Sequence, residues 1–352
     1  TAAGHGTPGI KEGYLPIVYE DEDTLTREPI EMIKRKLVKY LISAGHGEAP
    51  NAIYKASLKD EPRNLEKVRC GKTRVFYSSP LVALIAARLY MAPLFTLMSE
   101  QPAAFGCAIG TNIYTDADRF RKELRKFSHL WMEGDYGSYD TNMPYAIKWA
   151  AATVMYLIAV ELGYNEFALM ILRGLLTGDL HPLISMLCDL MRSIVQPSGK
   201  LGTAEFNSLI GVLMLMYAYY SEPTHVRGSF FTNVLPRTYG DDLLAAVKED
   251  VQDTFNNQTY QKFCEEVYGI QYTSASKDLE MSKFVDINDA SFLKRTFVYS
   301  EELHRFIAPL DLHSLIKCMA WIIPSKAVSK EEQVLASFNS FCWELVLHAD
   351  ER

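Results

Sequence analysis

Apolar residues recur at helical spacing over much of the chain, and in two short stretches they run unbroken towards acidic turns. Ile30, Ile33, Leu37 and Leu41 fall on one face of a helix predicted from about Arg27 to Ser43, with Pro29 in its first turn and Gly45 just past its end. Trp149 to Val160 and Leu209 to Tyr220 are the longest uncharged apolar runs; both are too short to span a bilayer and read as buried core helices. Near the C-terminus, Ser329 and Glu332 form a capping-box pair, and Val334, Leu335, Phe338, Cys342 and Leu345 line one helical face. Phe230, Phe231, Val234 and Leu235 precede Tyr239-Gly240-Asp241-Asp242, and Leu243 to Val247 follow, which predicts a strand, a Gly-Asp turn and a strand. Leu130, Trp131 and Met132 predict a further buried strand leading into Asp135. There is no internal repeat and no low-complexity segment.

The acids at these strand ends bring in chemistry. Side chains alternate across a strand, so Asp241 and Asp242 point to different sides, and Asp241 is the better placed to face a shared ion. A Gly-Asp pair also makes an ordinary hairpin turn, and taken alone it says no more than that. Upstream, Gly137 permits a sharp turn that would bring Asp140 back towards Asp135. Phosphoryl transfer needs hard oxygen ligands on two Mg2+ ions roughly 3.5 to 4 Å apart, and Asp135 with Asp241 meets that need. Asp140 also suits a plain N-cap ahead of Thr141, Asn142 and Pro144.

Two polar segments accompany the acids. Gln196 to Asn207 is a glycine-bearing loop running into a helix predicted from Ser208 to about Tyr220. In it Thr203 and Asn207, four apart, share a face that suits a sugar hydroxyl, although a Ser-Gly loop also serves as a helix cap. Lys55, Lys59, Arg63, Lys67, Arg69, Lys72 and Arg74 form a basic run that Pro62 and Gly71 keep from being one long helix. A solvated charged face is the ordinary meaning of such a run. Irregular spacing favours cations converging on a triphosphate, where they offset the charge of the departing pyrophosphate.

With 352 residues, 48% of them hydrophobic, the chain has enough apolar surface for a sizeable core and more than one subdomain, which excludes a disordered tail. The formal net charge of -7 runs against a nucleic-acid partner, so the local basic run has to outweigh the total, with RNA affinity that is modest and salt-sensitive. The six cysteines are scattered without close pairs and read as reduced core thiols of a cytosolic protein, with no zinc site or disulfide framework. There is no signal peptide, and no transmembrane segment is expected; the chain opens at Thr1 without a methionine, which reads as a product cut from a polyprotein or a fragment.

The order of these features resembles a known family. The basic run, Asp135 with Asp140, Ser198-Gly199 with Thr203 and Asn207, Gly240-Asp241-Asp242, and then Phe292-Leu293-Lys294-Arg295 follow one another as motifs F, A, B, C and E do in the RNA-dependent RNA polymerases of positive-strand RNA viruses. Lys59-Asp60-Glu61-Pro62-Arg63 with Gly71-Lys72-Thr73-Arg74 resembles the picornavirus-like form. Arg305 to Trp321 is similar to thumb segments of picorna-like viruses outside the picornaviruses proper, and the likeness spans roughly Lys59 to Trp321.

The resemblance implies an α+β right-hand polymerase, with an antiparallel palm sheet backed by helices. Fingers would occupy residues 1–90, palm 91–299 with 178–197 returning to the fingers, and a short thumb 300–352. Thr1-Ala2-Ala3-Gly4 resembles motif G, which implies that the family's preceding fingertip segment is missing. The implied reaction is template-directed transfer of a nucleoside monophosphate from NTP to an RNA primer 3′-hydroxyl, with two Mg2+ ions, or Mn2+ in their place. Asp135, Asp241 and Asp242 would be the metal and catalytic residues. Lys59, Arg63, Lys67 and Arg74 would bind the triphosphate, and Asp140, Ser198, Thr203 and Asn207 would recognise the ribose 2′-hydroxyl. Lys294 and Arg295 would contact the primer strand. Thr273-Ser274-Ala275-Ser276-Lys277 resembles the end of motif D, which makes Lys277 the general acid, although the family usually has an acid where Ser276 stands. Implied partners are RNA template and primer, NTPs, a protein primer and other viral replication proteins, at membrane-associated replication complexes in the host cytoplasm. A reverse transcriptase, which carries a bulky aromatic where Asp140 stands, and a noncatalytic RNA-binding remnant, which has no need of intact acids, are the alternatives.

Overall fold

The computed structural model describes residues 3–20, 25–222, 228–275, 280–323, 325 and 328–348. The chain divides into two compact units, one of Thr1–Lys59, Arg63–Glu100 and Ser138–Ile210, the other of Asp60–Pro62, Gln101–Gly137 and Gly211–Arg352.

The second unit is built on a four-stranded antiparallel sheet in the order Tyr272–Thr273, Leu130–Tyr136, Asp242–Val247, Val234–Tyr239. Leu243 to Val247 are all buried, so this inner strand is covered on both faces and reads as an unbroken apolar run instead of an alternating one. One face packs on the helix Ile113–Phe127, whose Ala117, Phe120 and Leu124 form the inward stripe. Phe120 stacks on Phe292 and Phe297, with ring centroids 5.6 and 6.0 Å away, and Trp131, Leu244 and Ala246 complete this core. The buried Trp131 indole keeps a partner by donating to Ser128 O at 3.1 Å. At Gly134 a Cβ would collide with the Tyr272 ring, so glycine is what lets that ring lie across the strand. Tyr272 in turn packs on Tyr136 and Tyr260, whose hydroxyls are 2.6 Å apart.

The C-terminal part of this unit is fastened by a buried fork. Arg295 Nη1 and Nη2 donate to Glu344 Oε2 and Oε1 at 2.9 and 2.6 Å, and Nη1 also donates to Ala308 O. This bidentate pair joins the hairpin of Ser291–Phe292 and Arg295–Thr296 to the helix Lys330–Leu345. That helix has the expected Ser329–Glu332 capping box. Its expected apolar face is not a core face, however: Val334, Leu335, Phe338 and Cys342 are exposed, and Leu345 is only half-buried. The residues before the acidic hairpin also differ from expectation. Phe230–Asn233 is one turn of helix, and the strand starts only at Val234.

The first unit holds a second four-stranded sheet, Val75–Ser78, Ile53–Leu58, Leu183–Met186, Asp189–Arg192, with a parallel central pairing between antiparallel outer ones. Helices Glu31–Gly45, Leu81–Glu100, Tyr145–Glu161 and Glu166–Leu180 accompany it. The first begins at Glu31 and not Arg27, because Leu25–Arg27 is a strand, which leaves Pro29 ahead of the helix. Gly174 lies against the Ala44 backbone, where a Cβ would not fit, and so permits the close packing of two helices. Helix Leu81–Glu100 is long and apolar enough, by length and composition, to cross a membrane, and Arg88 within it keeps it from reading as an uncharged run. Its Leu81, Ala86, Met91, Leu94 and Met98 are buried within the unit. In Tyr145–Glu161 only one face is core: Trp149, Leu157 and Val160 are exposed. No disulfide joins the six cysteines among the described residues, and only Cys107 and Cys264 are core thiols; Cys70, Cys188, Cys318 and Cys342 are exposed.

Glu133 and Gly134 each give rise to a prediction. Glu133 is buried beneath the sheet, its carboxylate accepts the Ser291 amide, and burial pushes its carboxyl up to about 7 while that amide opposes the rise. The folded chain therefore keeps a proton between pH 4.5 and about 7 that the unfolded chain has released, so stability falls as pH rises through that window. Glu133→Gln is expected to flatten the fall and to raise stability at pH 8 by up to about 3 kcal/mol, measured by urea unfolding at pH 5 and pH 8. Gly134→Ala is expected to destabilise by about 3 kcal/mol through its clash with Tyr272, and an unshifted urea midpoint would refute that reading of the glycine.

Candidate active site

In the second unit the acids stand at one end of the sheet. Tyr239 pairs with Asp242, leaving Gly240 and Asp241 as a two-residue turn. Gly240 has φ 64° and open space around its missing Cβ, so the backbone conformation and not crowding calls for glycine. On the neighbouring strand, Gly134 pairs with Leu243; Asp135 is the residue after Gly134, and Asp242 the residue before Leu243. Register thus brings Asp135 and the Asp241-Asp242 turn to the same edge. Asp241 is exposed, whereas Asp135 and Asp242 are half-buried. Among the described residues no group of three His, Cys, Asp or Glu side chains forms a metal cage. The donors are hard carboxylate oxygens from adjacent strands, a set that fits Mg2+, which takes one or two carboxylates and completes its shell with water and substrate phosphates.

In the first unit a separate polar group assembles. Tyr139–Asn142 is a single helical turn, preceded by Ser138 in the left-handed region at φ 54°. Asp140 lies inside that turn and is not its N-cap, which corrects the capping role expected for it. Asn207 Nδ2 donates to Asp140 Oδ1 at 3.0 Å. Asn207 is only 5% exposed, and its Oδ1 is buried without a hydrogen-bond partner among the described residues. Tyr139 Oη donates to the Asn207 backbone carbonyl at 3.0 Å, and the Gln196 amide to the Asp140 carbonyl at 2.8 Å. The helix carrying Asn207 spans Thr203–Ser221 and so starts five residues earlier than predicted. Thr203 Oγ1 donates to Lys200 O at 2.9 Å and is thereby engaged in the loop itself. Ser198 Oγ accepts the Tyr77 amide at 3.4 Å. Asp140 and Asn207 are therefore the polar pair of this group, with Ser198 and Thr203 bracing the loop.

The basic run is a β-loop-β excursion. Lys59 N donates to Arg74 O at 2.8 Å, closing the base beyond Ile53–Leu58 and Val75–Ser78. Leu65–Arg69 makes one helical turn capped by Asn64, and Gly71 at φ 64° ends it. Lys55, Lys59, Lys67, Arg69, Lys72 and Arg74 are exposed, and Arg63 is half-buried. Lys294 is exposed at φ 60°, in a tight turn with Leu293 at φ 55°. Arg295 does not offer its guanidinium to a nucleic acid: both ends of the fork are on Glu344, and its side chain is 12% exposed. Lys277 lies outside the described residues.

Two contributors escaped the sequence reading. Lys200 lies in the glycine-bearing loop, and its ammonium is buried on Asp179 at 3.0 Å. Asp179 closes the helix whose Ile171, Leu172, Leu175 and Leu176 are buried, and an acid at the end of such an apolar face is the signal that marks it. Lys148, likewise flanked by apolar residues, is buried, and burial pushes its ammonium down to about 7, with Lys200 adding to the effect and Asp179 opposing it.

Known proteins are similar to this chain over nearly its whole length. The replicase polyprotein of Cricket paralysis virus is 27% identical over 339 residues, which are 92% of this chain and 19% of the polyprotein. The genome polyprotein of Ljunganvirus 1 is 26% identical over 349 residues, 98% of this chain and 14% of the polyprotein. The chain thus spans about a fifth or less of the length of these relatives. A solved structure described as Sicinivirus 3Dpol RNA dependent RNA polymerase superposes with a TM-score of 0.77 at 19% identity, covering 98% of this chain and 71% of that one, so the two share the right-hand polymerase fold. Residues 19–344 match the family described as viral RNA-dependent RNA polymerase, and the chain belongs to that family.

Proposed function

We propose that this chain extends an RNA primer on an RNA template, transferring a nucleoside monophosphate from NTP to the primer 3′-hydroxyl. The observation that carries the reading is the convergence of Asp135 with Asp241 and Asp242 at one edge of the antiparallel sheet. Family membership adds that such polymerases work with a divalent metal and an RNA template. Asp135 and Asp241 would hold two Mg2+ ions, with Asp242 assisting; when bound, these lower the pKa of the attacking hydroxyl and neutralise the triphosphate. The chain's own part is to hold those acids on strands whose register cannot slip, and to meet the triphosphate with Lys59, Arg63, Lys67 and Arg74. Lys294 would touch the primer backbone as a sequence-blind cation. Lys277 would protonate the leaving pyrophosphate.

Choice of sugar falls to Asp140 and Asn207. A buried amide oxygen without a donor is costly, at about 1 to 3 kcal/mol, and a ribose 2′-hydroxyl supplies the donor that Asn207 Oδ1 lacks. A deoxyribose leaves it unsatisfied, which is a stronger means of discrimination than shape alone. The wider setting follows from the relatives, which are replicase and genome polyproteins of RNA viruses. On that basis the partners would be other viral replication proteins, including a protein primer, at membrane-associated complexes of the host cytoplasm.

Extension of a labelled RNA primer-template with Mg2+ tests the reading. Asp241→Asn is expected to lower nucleotide addition by at least about a hundredfold with native-like circular dichroism, and retained turnover in that folded variant would sink the metal assignment. Asn207→Ala is expected to narrow the preference for ribonucleotides over deoxyribonucleotides by about tenfold or more, read as the ratio of kcat/KM values; an unchanged ratio would refute its sugar role.

A further inference from the structure

Two buried ammonium groups bracket the loop that carries Ser198. Ahead of it, Lys148 on the helix Tyr145–Glu161 is 2% exposed and donates to Ile194 O and Val195 O, both at 3.3 Å. Within it, Lys200 donates to Asp179 Oδ2 at 3.0 Å, and its ammonium lies 4.1 Å from the Phe206 ring centroid. The other Asp179 oxygen, Oδ1, accepts from Tyr54 Oη at 3.4 Å. The Lys200 side chain is 3% exposed, so solvation does not explain a lysine there; the desolvation of its charge is offset only by Asp179, the aromatic face and the fit of the loop.

The loop between these anchors has no freedom to drift. A Cβ at Gly199 would strike the Tyr77 carbonyl, and one at Gly202, which has φ 77°, would strike the Phe95 ring. Ser78 and Gly199 form an isolated parallel bridge that presses the loop against the strand Val75–Ser78. The Lys200 carbonyl receives the Thr203 hydroxyl at 2.9 Å, and Thr203 opens the helix on which Asn207 stands one turn later. A displacement at Lys200 is therefore handed on through one hydrogen bond and one helical turn to the Asn207–Asp140 pair.

We propose that Lys200 and Asp179 are a positioning pair for sugar selection: their buried ion pair sets the Ser198 loop and, through Thr203, the placement of Asn207 against the nucleotide ribose. This rests on the polymerase reading above and adds residues that touch no substrate. Positioning errors of this kind, far from the reacting atoms, lower efficiency by up to about a hundredfold.

The test is steady-state single-nucleotide addition on an RNA primer-template with matched ribo- and deoxyribonucleotides, alongside thermal unfolding. Lys200→Met and Asp179→Asn are each expected to lower the ribo-to-deoxyribo ratio of kcat/KM by about tenfold, mainly through a raised KM for the ribonucleotide. The double variant Lys200→Met with Asp179→Leu replaces the pair by apolar groups and is expected to recover the thermal midpoint without recovering the ratio. It also keeps the test decisive if either single variant fails to fold. A wild-type ratio in a folded single variant, or recovery of the ratio together with the midpoint in the double variant, overturns the positioning role. A wild-type chain that adds no nucleotide overturns the polymerase reading and this inference together, whereas one that uses both sugars equally overturns sugar selection and this inference but leaves the polymerase reading standing.

Discussion

The pairing of Leu130–Tyr136 with Asp242–Val247 governs everything the second unit does. Both strands are buried on both faces, so a slip of one residue would drive Asp135 or Asp242 into the apolar layer and force Leu244 or Trp131 out of it. The cost of exposing even one of those side chains is about 1.5 to 3 kcal/mol, and many would move at once. Chemistry at the sheet edge thus inherits its precision from hydrophobic burial several residues away. Gly134 belongs to the same constraint, since it lets the Tyr272 ring cap the strand next to Asp135 without displacing it.

Charges inside the two units are handled in different ways. Arg295 and Glu344 meet as a two-pronged fork that satisfies both partners and fastens the last helix. Lys200 and Asp179 meet at one point, and the remaining donors turn to an aromatic face and to surrounding packing. Glu133 accepts a backbone amide and meets no cation among the described residues, and burial raises its carboxyl against the opposing effect of that amide. A buried ion pair gives little net stability over an apolar substitute; what these pairs contribute here is a unique geometry for the segments they join.

Much of the architecture could be read from the residues. Unbroken apolar runs ending in acids announced the central strands, and Gly240-Asp241 announced the turn, because a two-residue hairpin has few chemical solutions. The Asn207–Asp140 contact was legible once both were assigned to one polar group, though their separation in sequence gave no distance. Failures came where tertiary packing overrode local pattern. Val334, Leu335 and Phe338 have the spacing of a core face, and periodicity cannot say whether anything lies opposite. Arg295 looked like a surface cation because nothing nearby in sequence announces Glu344, 49 residues on. Thr203 turns its hydroxyl proton to the Lys200 carbonyl, a contact within the loop that spacing alone does not reveal. Helix starts at Glu31 and Thr203 were missed in opposite directions: the Leu25–Arg27 strand delays one, and the other begins within the glycine-bearing loop.

The hairpin at Gly240-Asp241 has one more consequence, which concerns adaptability. Its two turn residues join paired strand ends directly, so the turn has no spare length and moves only as a rigid part of the sheet. An insertion or deletion there would alter the register itself, and no side-chain change elsewhere in the turn can shift Asp241 by a small amount. Variation in which nucleotides such a chain accepts is therefore channelled away from the acids. It has to arise in segments whose length does not set a strand register, such as the basic excursion between Leu58 and Val75, whose base is closed by Lys59 and Arg74.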